Sequence, residues 1–271
     1  MPKRLRRLGF GLSTLFGAPR GFFIPYRHAA SCRPAGYPAL EPLFAAAEPR
    51  MRAVMDDIAA LSDDLARVAE RGPARFDQGW FPRLDAAAAY AIVRRARPRR
   101  IVEIGSGHST RFLAAAVRDG GFACEIACID PAPRADIAAL GVRHIPTLLR
   151  DAPPEPFAAL QTGNILFVDS SHVAMPGTDV DRIVLDLLPR LPAGVFVHVH
   201  DVFLPDPYPP EWAWRGYNEQ LLAGALLQAG AYAPVFASHH VATRRPEWLG
   251  PVAGLPLPAG AYETSLWLEK R

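Results

Sequence analysis

The sequence predicts a doubly wound α/β domain with a seven-stranded, mostly parallel sheet and an N-terminal helical extension. Three observations predict it. Short runs after residue 100 are apolar on successive positions without alternating, as strands covered on both faces require. Helical patterns separate these runs, giving the order of βαβ units. The carboxyl ends of the runs carry glycines and aspartates, where open parallel sheets hold ligands.

The first residues, MPKRLRRLGFGLSTLFGAP, place Lys3, Arg4, Arg6 and Arg7 before about ten mildly apolar positions, the outline of a signal peptide. Gly9, Gly11, Ser13 and Thr14 interrupt the apolar part, and Pro19, Arg20 and Gly21 follow in place of a small-residue cleavage site. A basic amphipathic helix lying on a surface is the better reading, with weak membrane-surface contact as its consequence. No run reaches the roughly 18 apolar residues of a membrane span, and the expected location is cytoplasmic.

Five prolines in 19–42 exclude a long regular element there. Helical patterns follow over 49–70 and 84–97. Residues 1–75 are thus expected as an irregular, partly helical extension and 76–271 as the sheet domain. The segment before residue 100 lacks strands and is not expected to stand alone. Strands are expected at 100–105, 125–130, 142–145, 165–169 and 195–201, and helices at 110–118, 134–140 and 178–188. A further helix (218–228) and two closing strands (233–238, 262–269) complete the sheet.

The 271 residues are 50% hydrophobic, 21% charged and 10% aromatic, which excludes disorder, collagen and coiled coil. Thirty Lys+Arg against 27 Asp+Glu leave +3, with a single basic cluster at the N-terminus, so no nucleic-acid partner is expected. Cys32, Cys124 and Cys128 are odd in number and read as buried thiols in a reducing compartment.

The first run leads into Glu103-Ile104-Gly105-Ser106-Gly107-His108-Ser109-Thr110, a glycine-rich turn that opens a helix. Glycines admit a ligand close to the backbone, and a helix start offers unpaired N–H groups. Thr110 replaces the third glycine of the dinucleotide fingerprint. The charge of Glu103 suits a cationic ligand such as an ammonium or a sulfonium. Asp130 ends the second run, placed for ribose hydroxyls; its other reading is an N-cap for 134–140.

IVEIGSGHSTRF, CIDP, ILFVDSSH and VHVHDVFLPDPYP, with FDQGWFPRLDAAAAYAIVRRARPRRIVEIG and GFFIPYRHA upstream, resemble a bacterial branch of the class I S-adenosylmethionine-dependent methyltransferases. The resemblance spans most of the chain and implies a Rossmann-like fold with S-adenosylmethionine as cofactor. By it, Glu103, Gly105, Ser106 and Gly107 would cradle the methionine part, with His108 and Ser109 in the same turn. Asp130 would hold the ribose, Asp169 would face the methionine end and the substrate, and Trp80 and Phe81 would close the pocket.

Asp169 and Asp201 end neighbouring runs. Two carboxylates so close repel unless a cation lies between them, and Mg²⁺ takes such oxygen ligands. The pattern is similar to the catechol-type O-methyltransferases, where an Asp-Asn pair follows strand five. Here Val202 follows Asp201, which leaves His200, Asn218 or water as the third ligand of Mg²⁺ or another divalent cation. In that comparison His172 stands where a lysine base does, and a near-neutral imidazole suits the role. His198 shares a face with His200 but lies deeper, as a core residue. Trp212, Trp214 and Tyr217, after the proline-rich flap 204–210, would wall an acceptor pocket. His239 and His240 read as loop.

The expected function is methyl transfer to a hydroxylated small molecule, with Asp169 and His172 catalytic and Asp169, Asp201 and His200 on the metal. The alternatives are a hydroxylase-like or binding-only member of the fold, and a metal-dependent hydrolase suggested by His198-Val199-His200-Asp201. The hydrolase motif needs its Asp one position further on. A homodimer is compatible with the sequence.

Overall fold

The computed structural model describes residues 3–17, 20–22, 24–70 and 72–271, with side chains from residue 5 onward. Pro19, used above against a cleavage site, lies outside the described residues. Among them the strands form a seven-stranded sheet: β1 Arg100–Ile104, β2 Glu125–Ile129, β3 Arg143–Ile145, β4 Ile165–Val168, β5 Phe196–Val199, β6 Tyr232–Ala237 and β7 Leu266–Lys270. Their spatial order is β3-β2-β1-β4-β5-β7-β6. Strands β1 to β5 pair in parallel, while β7 runs antiparallel to both β5 and β6. The chain winds outward from β1 to β3, then returns to β4 on the other side. The switch between β1 and β4 leaves a crevice at their carboxyl ends.

The helices are α1 Lys3–Phe16, α2 Glu41–Ala60, α3 Ser62–Glu70, α4 Arg83–Ala96 and α5 His108–Gly120. Next, α6 starts at Asp179–Arg182, widens to a π turn over Ile183–Leu187 and ends at Leu188–Arg190. It is followed by α7, Glu219–Gln228, and α8, Ser238–Arg244. All four β4 residues are buried, as a central strand covered on both faces must be. In α4 every residue from Leu84 to Val93 is buried, and its alanines let α2 and α5 approach closely. Phe44, Ala47, Met51, Val54, Met55 and Ile58 form one stripe of α2, which lies against β6 and α4 within the same core.

Several boundaries differ from expectation. The helix expected at 49–70 begins at Glu41, keeps Pro49 in its interior and breaks at Leu61. The helix expected at 134–140 is one 3-10 turn, Ala138–Leu140, and the Arg134 N–H before it donates to the Ser106 carbonyl at 3.1 Å, tying this segment to the glycine turn. Strand β7 starts at Leu266; before it, the Thr264 and Ser265 amides donate to Asp85 at 3.0 and 2.8 Å. Cys32 is exposed and Cys124 half-buried, so Cys128 alone is the buried thiol expected of all three. His239 and His240 lie on α8, His240 stacked on Phe44. The mostly parallel sheet rules out the antiparallel sandwich of the hydrolase alternative.

Candidate active site

The crevice at the switch point is a cleft of about 630 Å³. Gly105 and Ser106 from the end of β1, and Ile129 and Asp130 from the end of β2, form one wall; Asp169, His172, His200 and Asp201 form the other. Gly105 has φ +77°, and a Cβ there would stand 2.1 Å from the Asp169 carbonyl oxygen. Only glycine lets the two strand ends meet so closely.

Glu103 does not face this cleft. It is fully buried and accepts from Ser109 Oγ and Thr110 Oγ1 at 2.6 Å each and from Cys128 Sγ at 3.3 Å. Burial pushes its carboxyl up to about 7, against the hydrogen bonds that hold it down. Glu103 and Ser109 are therefore corrected from ligand-facing groups to an internal brace of the turn. Thr110 stands in place of a glycine for the same reason: its Oγ1 also accepts from the Gly107 N–H at 2.9 Å. Gly107 and His108 do not line the cleft either.

Asp130 does line it, with its carboxylate largely committed. Oδ2 accepts from the Ser106 N–H at 2.7 Å and Ser106 Oγ at 3.1 Å, and Oδ1 accepts from the Ala132 N–H at 2.7 Å. A carboxylate accepts about four hydrogen bonds, so roughly one position remains for a ligand hydroxyl. The helix it would cap does not form. Trp80 stands exposed at the mouth, with the Arg134 guanidinium 4.6 Å from its ring centre. Phe81 is buried among Phe112, Phe167 and His198, which makes it a core residue instead of a pocket wall.

The far wall is a cluster of histidines and carboxylates. His172 has φ +60°, and its carbonyl accepts from the Asn218 and Glu219 amides at 3.0 and 3.3 Å. Its Nδ1 lies 2.9 Å from Glu219 Oε2, and its Nε2 lies 3.2 Å from Asp169 Oδ1 and 3.5 Å from Asp201 Oδ2. Nδ1 of His200 is 3.6 Å from Asp169 Oδ1 and 3.5 Å from Asp201 Oδ1, with Nε2 3.4 Å from Asp85. Burial alone would lower both imidazoles. The surrounding carboxylates outweigh it and hold both well above the usual histidine range. Burial would likewise raise Asp169, yet His172 and His200 hold it well below the carboxylate range. His198, stacked on Phe167 at 3.7 Å and bonded to Ser265, is driven down by burial, as a core histidine should be.

Two expectations need correction. His172 is held by Glu219 and faces Asp169 and Asp201, so against the lowering effect of burial its pKa is raised above the near-neutral value expected of it. The metal assignment to Asp169, Asp201 and His200 also fails to fit. The carboxylates turn toward imidazole nitrogens, Arg215 stands 3.8 Å from Asp201, and Asn218 Oδ1 is taken by the Ala174 N–H. Among the described residues no three His, Cys, Asp or Glu are placed to hold a metal ion.

Sequence reasoning missed Glu219, Asp85 and Arg215. The signal for Glu219 was Asn218-Glu219-Gln220, a polar triplet opening an otherwise apolar helix. Each member ties a loop of the site to α7: Asn218 to Ala174, Glu219 to His172, and Gln220 to the Phe203 amide at 2.9 Å.

Residues 102–202 match the family model described as a methyltransferase domain. Among solved structures, an S-adenosylhomocysteine-bound methyltransferase of Podospora anserina is 17% identical, covering 93% of this chain and 99% of that one, with a TM-score of 0.41. A branched-chain polyamine synthase variant of Thermus thermophilus is 16% identical, covering 93% and 70%, with a TM-score of 0.42. No curated protein matches.

Proposed function

We propose that this chain is an S-adenosylmethionine-dependent methyltransferase, a reading that the match of residues 102–202 to a methyltransferase domain supports, and that it methylates a hydroxyl oxygen of a small acceptor held at the ends of β4 and β5. S-adenosylmethionine, when bound, supplies an electrophilic methyl group on a cationic sulfur. The residues present fit it. Gly105 offers a backbone with no side chain in the way, Ser106 beside it braces Asp130, and Asp130 keeps a position for one ribose hydroxyl. Ile129, Leu148 and Leu149 provide an apolar shelf for the base. The Asp169 carboxylate, 36% exposed, offers a negative charge to the methionine end.

The observation that carries the reading is the His172–Glu219 pair directly beside Asp169. Displacement at carbon needs a nucleophile held about 3 Å away and relieved of its proton. Glu219 fixes the ring through Nδ1, leaving Nε2 toward the cleft with Asp169 as its nearest partner. A cationic ligand that engages Asp169 weakens one of the charges keeping His172 protonated. The imidazole pKa falls, Nε2 releases its proton to water, and the neutral ring then takes the acceptor proton. Arg215, stacked 3.8 Å over Trp212, presents donors beside Asp201 to orient the acceptor. Trp212, Tyr217 and Tyr262 give an aromatic wall suited to the face of a sugar or polyketide-like ring.

The test is incubation with deuteromethyl-labelled S-adenosylmethionine and fractionated metabolite extracts, read by mass spectrometry. Enzyme-dependent label on the oxygen of a hydroxylated compound is expected. Label confined to nitrogen or carbon acceptors would overturn the reading.

A further inference from the structure

We propose that the first forty residues form an arm that docks on the surface of an anionic lipid bilayer, with α1 lying in the plane of the headgroups. Two independent features of the arm support this, one apolar and one electrostatic.

The apolar feature is a stripe with nothing over it. Leu5, Leu8, Leu12, Leu15 and Phe16 are each more than half exposed, Phe16 at 84%. At about 100° per residue they fall within an arc of about 100° on one side of α1. Phe22, Ile24 and Tyr26 continue the exposed apolar surface beyond the helix. Of the thirteen large exposed hydrophobics among the described residues, eight belong to this arm. Among the described residues the buried core begins at Leu40, and the described side chains of α1 lie outside it.

The electrostatic feature is charge segregation. The first acidic residue of the chain is Glu41. Before it stand Lys3, Arg4, Arg6 and Arg7, then Arg20, Arg27 and Arg33. The arm therefore holds seven basic and no acidic residues, leaving 23 basic against 27 acidic, net −4, for the rest of the chain. Arg6 and Arg7 are exposed and lie off the apolar arc, as in helices that pair a greasy face with a basic one at a lipid interface.

The two features together select the occupant. Fourteen residues of helix extend about 21 Å, too short to cross a bilayer and suited to lie along it. Among the described residues no helix is long and apolar enough to cross a membrane. Nucleic acid would use the arginines and leave the leucine stripe in water. A second copy would bring two strongly basic arms together. An anionic bilayer accepts both faces at once. The arm is tied to the body where the Tyr37 N–H donates to the Pro205 carbonyl at 2.8 Å in the segment after β5.

The experiment is co-sedimentation of the full chain with vesicles of phosphatidylcholine alone and with added phosphatidylglycerol. Binding at least about tenfold tighter to the anionic vesicles is expected, falling as salt is raised. Leu8→Asp with Leu12→Asp, and separately Arg6→Glu with Arg7→Glu, should each weaken it about tenfold or more. Their melting temperatures and S-adenosylhomocysteine affinities should stay as in the wild type, since α1 lies outside the core and the cleft. The proposal is overturned by failure to bind anionic vesicles, or by binding indifferent to lipid charge and salt. A lipid-free dimer abolished by the leucine substitutions would assign the stripe to a second copy instead.

Discussion

His172 and Glu219 stand 47 positions apart and meet at 2.9 Å, Nδ1 to Oε2, joining the end of β4 to the first turn of α7. The contact fixes more than a ring. Ser170 Oγ donates to the same Glu219 oxygen at 2.9 Å, and the Glu219 amide donates back to the His172 carbonyl. The left-handed backbone at His172 is thus held from both ends of one pair, and such strain persists only where the surroundings over-determine it.

Asp130 closes the turn between β2 and the glycine loop and retains one acceptor position toward the cleft. Asp130→Ala removes that acceptor and frees the Ser106 and Ala132 amides. A hydrogen bond to a charged group contributes about 1.5–3 kcal/mol, so S-adenosylhomocysteine affinity should fall at least about tenfold. Titration calorimetry reads this directly, and an unchanged affinity would remove Asp130 from the cofactor site.

Glu103 has the opposite sign from most carboxylates. Burial raises its folded pKa to about 7, above the ordinary 4.5, so the native state keeps a proton that the unfolded chain releases. Its contribution to stability is present below the ordinary value and is lost as pH rises through about 7. Glu103→Gln removes that slope. In urea melts at pH 5 and pH 8, the variant should gain on the wild type as pH rises. A difference between the two that stays constant with pH would mean that Glu103 is already ionised in the fold.

The sheet was legible because each central strand is a compact apolar run, and the glycine turn because Gly105 and Gly107 mark a backbone that must pass close to its neighbours. The polar cluster at the ends of β4 and β5 was legible in DSSH and HVHD, since these place polar groups where a buried strand surfaces. The roles were less so. Glu103 read as a ligand-facing charge because a sequence shows which residue follows a strand and not which way its side chain turns. His172 read as a near-neutral base because Glu219, which with Asp169 and Asp201 raises its pKa against burial, arrives from a helix 47 residues away. The 134–140 segment makes only one 3-10 turn and is tied to the glycine turn by the Arg134–Ser106 hydrogen bond, a long-range contact invisible to a periodicity.

Asp85 lies fully buried on α4 and accepts from the Thr264 and Ser265 amides, which join α4 to the approach to β7. Asp85→Ala leaves both donors buried without partners, at about 1–3 kcal/mol for each. A loss of about 2–5 kcal/mol in denaturant melts is expected, with Asp85→Asn recovering part of it through its remaining oxygen. If Asp85→Ala melted like the wild type, these amides would have found other acceptors.

The pH dependence of methyl transfer in Glu219→Gln tests the catalytic pair most directly. If His172 is the base proposed above, it must lose its proton to act, so the wild-type rate should rise with pH through the imidazole ionisation. Burial lowers that ionisation, while Asp169, Glu219 and Asp201 together raise it above the usual histidine range. Glutamine keeps the size of Glu219 and removes its charge, so the rise should move to lower pH by about one unit or more, with a slower plateau. A rising limb at the same pH in both proteins, or a rate independent of pH in the wild type, would contradict His172 as the acceptor of the substrate proton.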